Sequence, residues 1–83
     1  MTTLTIQLSF NFDLTIDGIY SAIELLEDTI QKGQALASMQ AYNQIFAVLQ
    51  HCKKNDIFAP TARSNMFCRL VASQANLYSL FEV

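Results

Sequence analysis

The sequence predicts an α+β fold that is mostly helical: an N-terminal β-strand followed by a three-helix bundle. Three observations carry this expectation. Leu4, Ile6, Leu8, Phe10, Phe12, Leu14 and Ile16 alternate strictly with polar residues, the period of two that marks a strand with one dry face. From Ile16 onward the apolar residues recur at spacings of three and four, the period of an amphipathic helix. Gly33 and Pro60 then punctuate the helical pattern at two points.

The alternation from Leu4 to Ile16 is too long for one ordinary strand, since thirteen residues at ~3.3 Å each would span about 43 Å. The strand is therefore placed at about residues 3–12, and Asp13 or Thr15 offers an N-cap for the first helix. Ile16, Ile19, Ile23, Leu26 and Ile30 form one stripe, widened by Ala22 and Leu25. Lys32 suits the negative end of a helix dipole and Gly33 is a stop signal. The first helix is expected at about 15–32.

The second helix is expected at about 35–54, with Ser38 one candidate cap. Ala35, Met39, Tyr42, Phe46 and Leu49 make its main stripe, broadened by Ile45, Val48 and Cys52. A face this broad needs more than one neighbour. Lys53, Lys54 and Asn55 close the helix, Asn being tolerant of the left-handed conformation. The connection NDIFAPT comes next, where Pro60 disfavours helix at Ala59 and Thr61 is a candidate cap. The third helix is expected at about 61–80, with Met66, Leu70, Leu77 and Phe81 inward and Phe67, Val71 and Tyr78 beside them. The competing pattern is a C-terminal strand over 77–83, with Leu77, Ser79, Phe81 and Val83 on one face; the unbroken stripe from Met66 favours helix.

A lone strand leaves backbone groups unpaired along both edges. The economical solution is a copy of itself, giving an antiparallel two-stranded ribbon across a homodimer. Ile6, Leu8 and Phe10 would lie on the helices; Thr5, Gln7, Ser9 and Asn11 would face solvent or a partner. Pairing with a C-terminal strand, or with a foreign sheet edge, are the alternatives.

Charge is sparse and uneven. Charged residues make up 14% of the chain, well below the usual quarter. Residues 1–31 hold Asp13, Asp17, Glu24, Glu27 and Asp28 and no base, whereas Lys32, Lys53, Lys54, Arg63 and Arg69 come later, against Asp56 and Glu82. A short chain that is 52% apolar with so few charges is a candidate oligomer. No basic start with an apolar core marks a signal peptide, and no apolar run approaches the ~20 residues of a membrane span. A cytoplasmic protein with no membrane association is the expectation.

A strand followed by two helices that dimerises through a ribbon resembles the ribbon–helix–helix DNA-binding family, over residues 3–52. The resemblance implies that Thr5, Gln7, Ser9 and Asn11 read base edges in the major groove. Charge weighs against it, because affinity for DNA comes largely from Lys and Arg at phosphates and no cation precedes Lys32. A helix-turn-helix is the other DNA-binding pattern, with Arg63, Ser64, Asn65 and Arg69 on a recognition helix, but its connection is longer than the usual three or four residues.

Catalytic and metal constellations are thin. His51 and Cys52 are adjacent and so point about 100° apart on a helix, which keeps both from one metal. Cys68 with His51 lacks an orienting third residue and an oxyanion hole. Gly18 and Gly33 belong to no phosphate loop. Cys52 and Cys68 sit at an axial offset of roughly 7 Å, to which a helix separation of about 8–10 Å must be added, so free thiols are expected. Tyr42, Phe46, Phe67 and Tyr78 read as core rather than a ligand pocket.

The expected function is a small non-enzymatic protein–protein interaction module, an adaptor or inhibitor-like accessory protein that works as a homodimer. Thr5, Gln7, Ser9 and Asn11 of the strand and Glu24, Glu27 and Asp28 of the first helix are the expected partner-binding residues, with no catalytic residue, cofactor or metal. The alternative is a dimeric DNA-binding regulator of the ribbon–helix–helix or helix-turn-helix kind.

Overall fold

The computed structural model describes residues 14–82. Every element among them is helical: α1 (Ile16–Gln31), α2 (Ala35–Lys54), α3 (Pro60–Ala72) and α4 (Gln74–Ser79). The α+β class is therefore corrected to a small helical domain for the described residues. The strand expected at 3–12, and the ribbon built on it, lie outside them. The alternative strand over 77–83 is corrected too, since Leu77, Tyr78 and Ser79 belong to α4. Its three-in-four alternation gives way to burial of Leu77, which is wholly covered as part of a helix.

Thr15 begins α1. Its backbone is extended and its Oγ1 accepts a hydrogen bond from the Gly18 amide at 2.9 Å, so one of the orphan donors of the first turn is satisfied. The other end closes on Gly33 at φ +76°. The Gly33 amide donates to Ile30 and the Gln34 amide to Thr29, the paired bonds of a Schellman motif.

The end of α2 repeats this device without glycine. The Ile57 amide donates to Cys52 at 2.8 Å and the Asp56 amide to Lys53 at 3.4 Å. Asp56, not Asn55, takes the left-handed position, at φ 55°. Asn55 instead turns its Nδ2 back to the His51 carbonyl at 2.9 Å. Phe58 is also left-handed, at φ 68°, and its ring packs on the core together with Ile57. Burial of these two side chains holds a backbone that a bulky residue otherwise avoids.

Helix α3 starts with Pro60 at its first position, and Ala59 rather than Thr61 precedes it as cap, without a side-chain bond. Pro has no amide to leave unsatisfied there. The expected single helix over 61–80 is broken at Ser73. Its Oγ donates to the Leu70 carbonyl at 2.6 Å and its amide donates to the same carbonyl at 3.1 Å. Both bonds reach back three residues and tighten the turn, which sets α4 apart from α3.

Side-chain pairs give the helix directions. Ser38 meets Thr29 across α1–α2, and Phe46 meets Phe67 while Arg63 meets Cys52 across α2–α3. Both hairpins are antiparallel, and α1 and α3 lie side by side, tied by Glu27 and Arg69. The core between them is Ile19, Ile23, Leu26 and Ile30 of α1, Ala41, Ile45, Val48, Leu49 and Cys52 of α2, Met66 and Leu70 of α3, and Leu77 of α4. Each fully buried Ile or Leu contributes about 1.5–3 kcal/mol relative to exposure. In α2 the expected main stripe is not the deepest one. Ile45, Val48 and Cys52 are fully covered, whereas Met39, Tyr42 and Phe46 are only partly so. The helix turns its smaller apolar residues to both neighbours and leaves its rings at the edge.

Candidate interaction surfaces

The acidic face of α1 is largely engaged within the chain. Glu27 accepts two bonds from Arg69, from Nε at 3.3 Å and from Nη2 at 3.0 Å. Glu24 lies 4.0 Å from the same Nη2. The Arg69 guanidinium also sits 5.8 Å from the centre of the Tyr20 ring, a cation–π distance. The hydrogen bond to Glu27, then the Glu27 charge, raise the Arg69 pKa above the usual arginine value. Asp28 pairs with Lys32 at 3.0 Å, one turn on. Of the expected partner-binding residues, Glu24 and Glu27 thus come together on Arg69 of α3, whereas Asp28 forms a separate pair with Lys32 at the end of α1. Thr5, Gln7, Ser9 and Asn11 lie outside the described residues.

A second surface, on α2, α3 and α4, is aromatic. Tyr42 and Phe46 stack one turn apart, with ring centres at 6.3 Å and planes 9° apart. Phe46 tilts against Phe67 of α3 at 5.7 Å. Val71, one turn beyond Phe67, is 38% exposed, and Tyr78 of α4 is 52% exposed. Burial, then the nearby Tyr78, raise the Tyr42 pKa above the usual tyrosine value. Gln74 donates to the Tyr78 hydroxyl at 2.8 Å. The sequence places these rings at helical spacing, and spacing alone would put all of them inside the domain. A bundle of this size encloses only one inner stripe per helix, so the adjacent stripes remain at the surface.

At the mouth of the α2–α3 hairpin this face opens into a groove of about 340 Å³. Leu49, Pro60 and Phe67 give it apolar walls; Gln50, Lys53, Arg63 and Ser64 give it polar ones. Arg63 is anchored through Nη1, which donates to the Cys52 carbonyl at 3.3 Å and to Asp56 Oδ1 at 3.1 Å. A second cleft lies between the end of α1 and the α3–α4 junction, lined by Glu27, Ile30, Ser73, Asn76 and Leu80 among others.

The nucleophile candidates do not meet. Cys52 is buried and Cys68 exposed, and both thiols are free. His51 is occupied locally, with Nδ1 3.2 Å from Asn55 Nδ2. Among the described residues no three His, Cys, Asp or Glu side chains gather as a metal site would need, and no helix is long and apolar enough to cross a membrane. Of the five cations, Lys32, Arg63 and Arg69 are paired with acids of the same chain. A DNA-binding surface would have to draw on Lys53 and Lys54 or give up those pairs. No family model matches the chain, and no curated protein or solved structure matches it.

Proposed function

We propose that this chain is a non-enzymatic protein-interaction module that self-associates, its second copy covering the aromatic face of α2, α3 and α4. The observation that supports the reading is the run of rings from Tyr42 through Phe46 to Phe67, extended by Val71 and Tyr78, on the surface of a chain with few charges. Partly exposed aromatics in a contiguous patch are what interface centres are made of.

The distribution of charge favours a second copy as the occupant. The centre of the face is uncharged. Lys53 and Arg63 lie at its hairpin end, and the exposed Glu82 follows α4, which sits past the far end of α3. A two-fold arrangement turns these ends toward one another and stacks like rings at the centre.

Light scattering behind a sizing column, at two protein concentrations, tests this reading. A dimer is expected, with the mass falling to that of a monomer in Phe67→Asp and in Tyr78→Asp. The second variant guards against misfolding, because Tyr78 is more exposed than Phe67. A monomer at both concentrations would overturn the proposal. So would a salt-sensitive shift of random duplex DNA at low salt, which is how the DNA-regulator alternative would declare itself.

A further inference from the structure

The groove at the mouth of the α2–α3 hairpin adjoins the ring stack through Phe67. It combines two kinds of wall. Leu49, Pro60 and Phe67 supply apolar lining, and the two basic residues Lys53 and Arg63 line the same space. Its volume of about 340 Å³ lies within the range of small-ligand sites, about 300–1,000 Å³.

The two cations are held differently. Arg63 is pre-positioned, with a side chain only 17% exposed. The Cys52 carbonyl and the Asp56 carboxylate both take its Nη1, which leaves Nε and Nη2 without a hydrogen bond to the described residues. Asp56, at 88% exposure, offsets part of the Arg63 charge. Lys53 is exposed and forms no ion pair among the described residues. The start of α3 adds the positive end of a helix dipole, unopposed by any side-chain cap. Ser64 and Gln50 supply neutral polar groups beside the cations.

We propose that this groove binds a carboxylate carried on an aromatic or branched apolar group. The carboxylate is held by Lys53 and Arg63, and the apolar part lies on Leu49, Pro60 and Phe67. A fixed guanidinium paired with a mobile ammonium suits a planar anion of this size. The apolar walls select against a bare anion, and the cations select against a neutral ring. A free aryl acid and the terminal residue of a peptide share this chemistry.

The test is a titration of the intact, isotopically labelled chain, followed by amide chemical shifts. The probes are 3-phenylpropionate, its neutral counterpart 3-phenylpropanol, inorganic phosphate, and a short peptide ending in Phe with its carboxylate either free or amidated. Saturable shifts centred on Lys53, Ser64 and Phe67 are expected for phenylpropionate or for the free-acid peptide. The alcohol, phosphate and amidated peptide are expected to bind at least about tenfold more weakly. Whichever acid binds more tightly identifies the source. Lys53→Glu, at an exposed position, is expected to weaken the acid by at least about tenfold while leaving the remaining amide shifts in place. No saturable shift with either acid, equal binding of acid and alcohol, or equal binding of phosphate would each overturn the proposal. Phe67, Lys53 and Arg63 also border the proposed dimer face, so the titration is repeated on Tyr78→Asp, which leaves the groove lining intact. Saturable acid binding is expected there whatever the mass, and its loss there would overturn the proposal.

Discussion

Arg69 and Glu27 lie forty-two positions apart in the chain and face each other as a two-pronged pair, Nε to Oε2 at 3.3 Å and Nη2 to Oε1 at 3.0 Å. Their side chains remain about two-fifths exposed, so solvent screens the attraction. The pair bridges α1 and α3 at the edge of their packed core, and Tyr20 and Glu24 gather on the same guanidinium. Glu27→Gln is expected to cost about 0.5–1 kcal/mol in urea unfolding, and less at high salt. Arg69→Met is expected to cost more, because the Tyr20 contact goes with the charge. Equal losses in the two variants would assign the whole effect to the ion pair.

Ser38 is fully buried, and its Oγ donates to Thr29 Oγ1 at 2.8 Å, which in turn donates to the Leu26 carbonyl at 2.8 Å. The relay makes the two ends unequal. Thr29→Val strands the Ser38 hydroxyl in the core and is expected to cost about 1–3 kcal/mol. Ser38→Ala removes a donor whose partner keeps its own bond to Leu26, with an expected cost of about 0.5–1.5 kcal/mol. The double variant should lie near the Ser38→Ala value and well short of the sum, since no stranded hydroxyl remains. Additive losses in thermal or urea unfolding would refute the relay.

The helices were legible because their evidence is local. Ile19, Ile23, Leu26 and Ile30 announce α1, and Gly33 and Pro60 mark the turns in the chain. The break at Ser73 was not, because the apolar stripe from Met66 to Leu77 runs through it. Only the short bonds from Ser73 back to Leu70 divide the helix, and spacing carries no sign of them. Which stripe of α2 faces inward was equally hidden. Ile45 and Val48 against Tyr42 and Phe46 is a choice made by two neighbouring helices, not by spacing. The engagement of Glu24 and Glu27 by Arg69 depends on the side-by-side placement of α1 and α3, which charge counting along the chain does not contain. The groove has the same origin, since Leu49 and Lys53 meet Arg63 and Phe67 only once the hairpin closes.

Gly33 and Asp56 occupy equivalent positions after α1 and α2, each left-handed inside a Schellman motif. At Gly33 an added Cβ would meet nothing within 4 Å, so Gly33→Ala isolates the backbone term and is expected to cost about 1 kcal/mol. Asp56→Gly runs the other way. It removes about the same strain and loses an ion pair at an 88% exposed carboxylate, worth at most about 1 kcal/mol. The expected outcome lies between neutral and about 1 kcal/mol more stable. A loss above about 2 kcal/mol would mean that Asp56 anchors Arg63 far more firmly than an exposed pair allows.

The two cysteines differ in environment and should differ in chemistry. Cys68 is exposed, so a thiol reagent is expected to modify it at once, in native buffer. Cys52 is buried, and burial raises its pKa above the usual thiol value, only partly opposed by Arg63. Its modification is expected to follow unfolding, so its rate should track urea concentration while that of Cys68 does not. The raised pKa also sets a pH dependence. The unfolded chain gives up this proton first as pH rises, so it binds fewer protons than the folded chain in that interval. Stability from Cys52 is then full below the usual thiol value and declines as pH climbs through it toward the raised one. Cys52→Ala is expected to flatten that alkaline decline relative to the parent, at the cost of a small cavity between α2 and its neighbours. Tyr42, raised in the same sense, leaves a second decline at higher pH. An alkaline profile unchanged by Cys52→Ala, measured by urea unfolding in steps from neutral pH upward, would place the titrating group elsewhere.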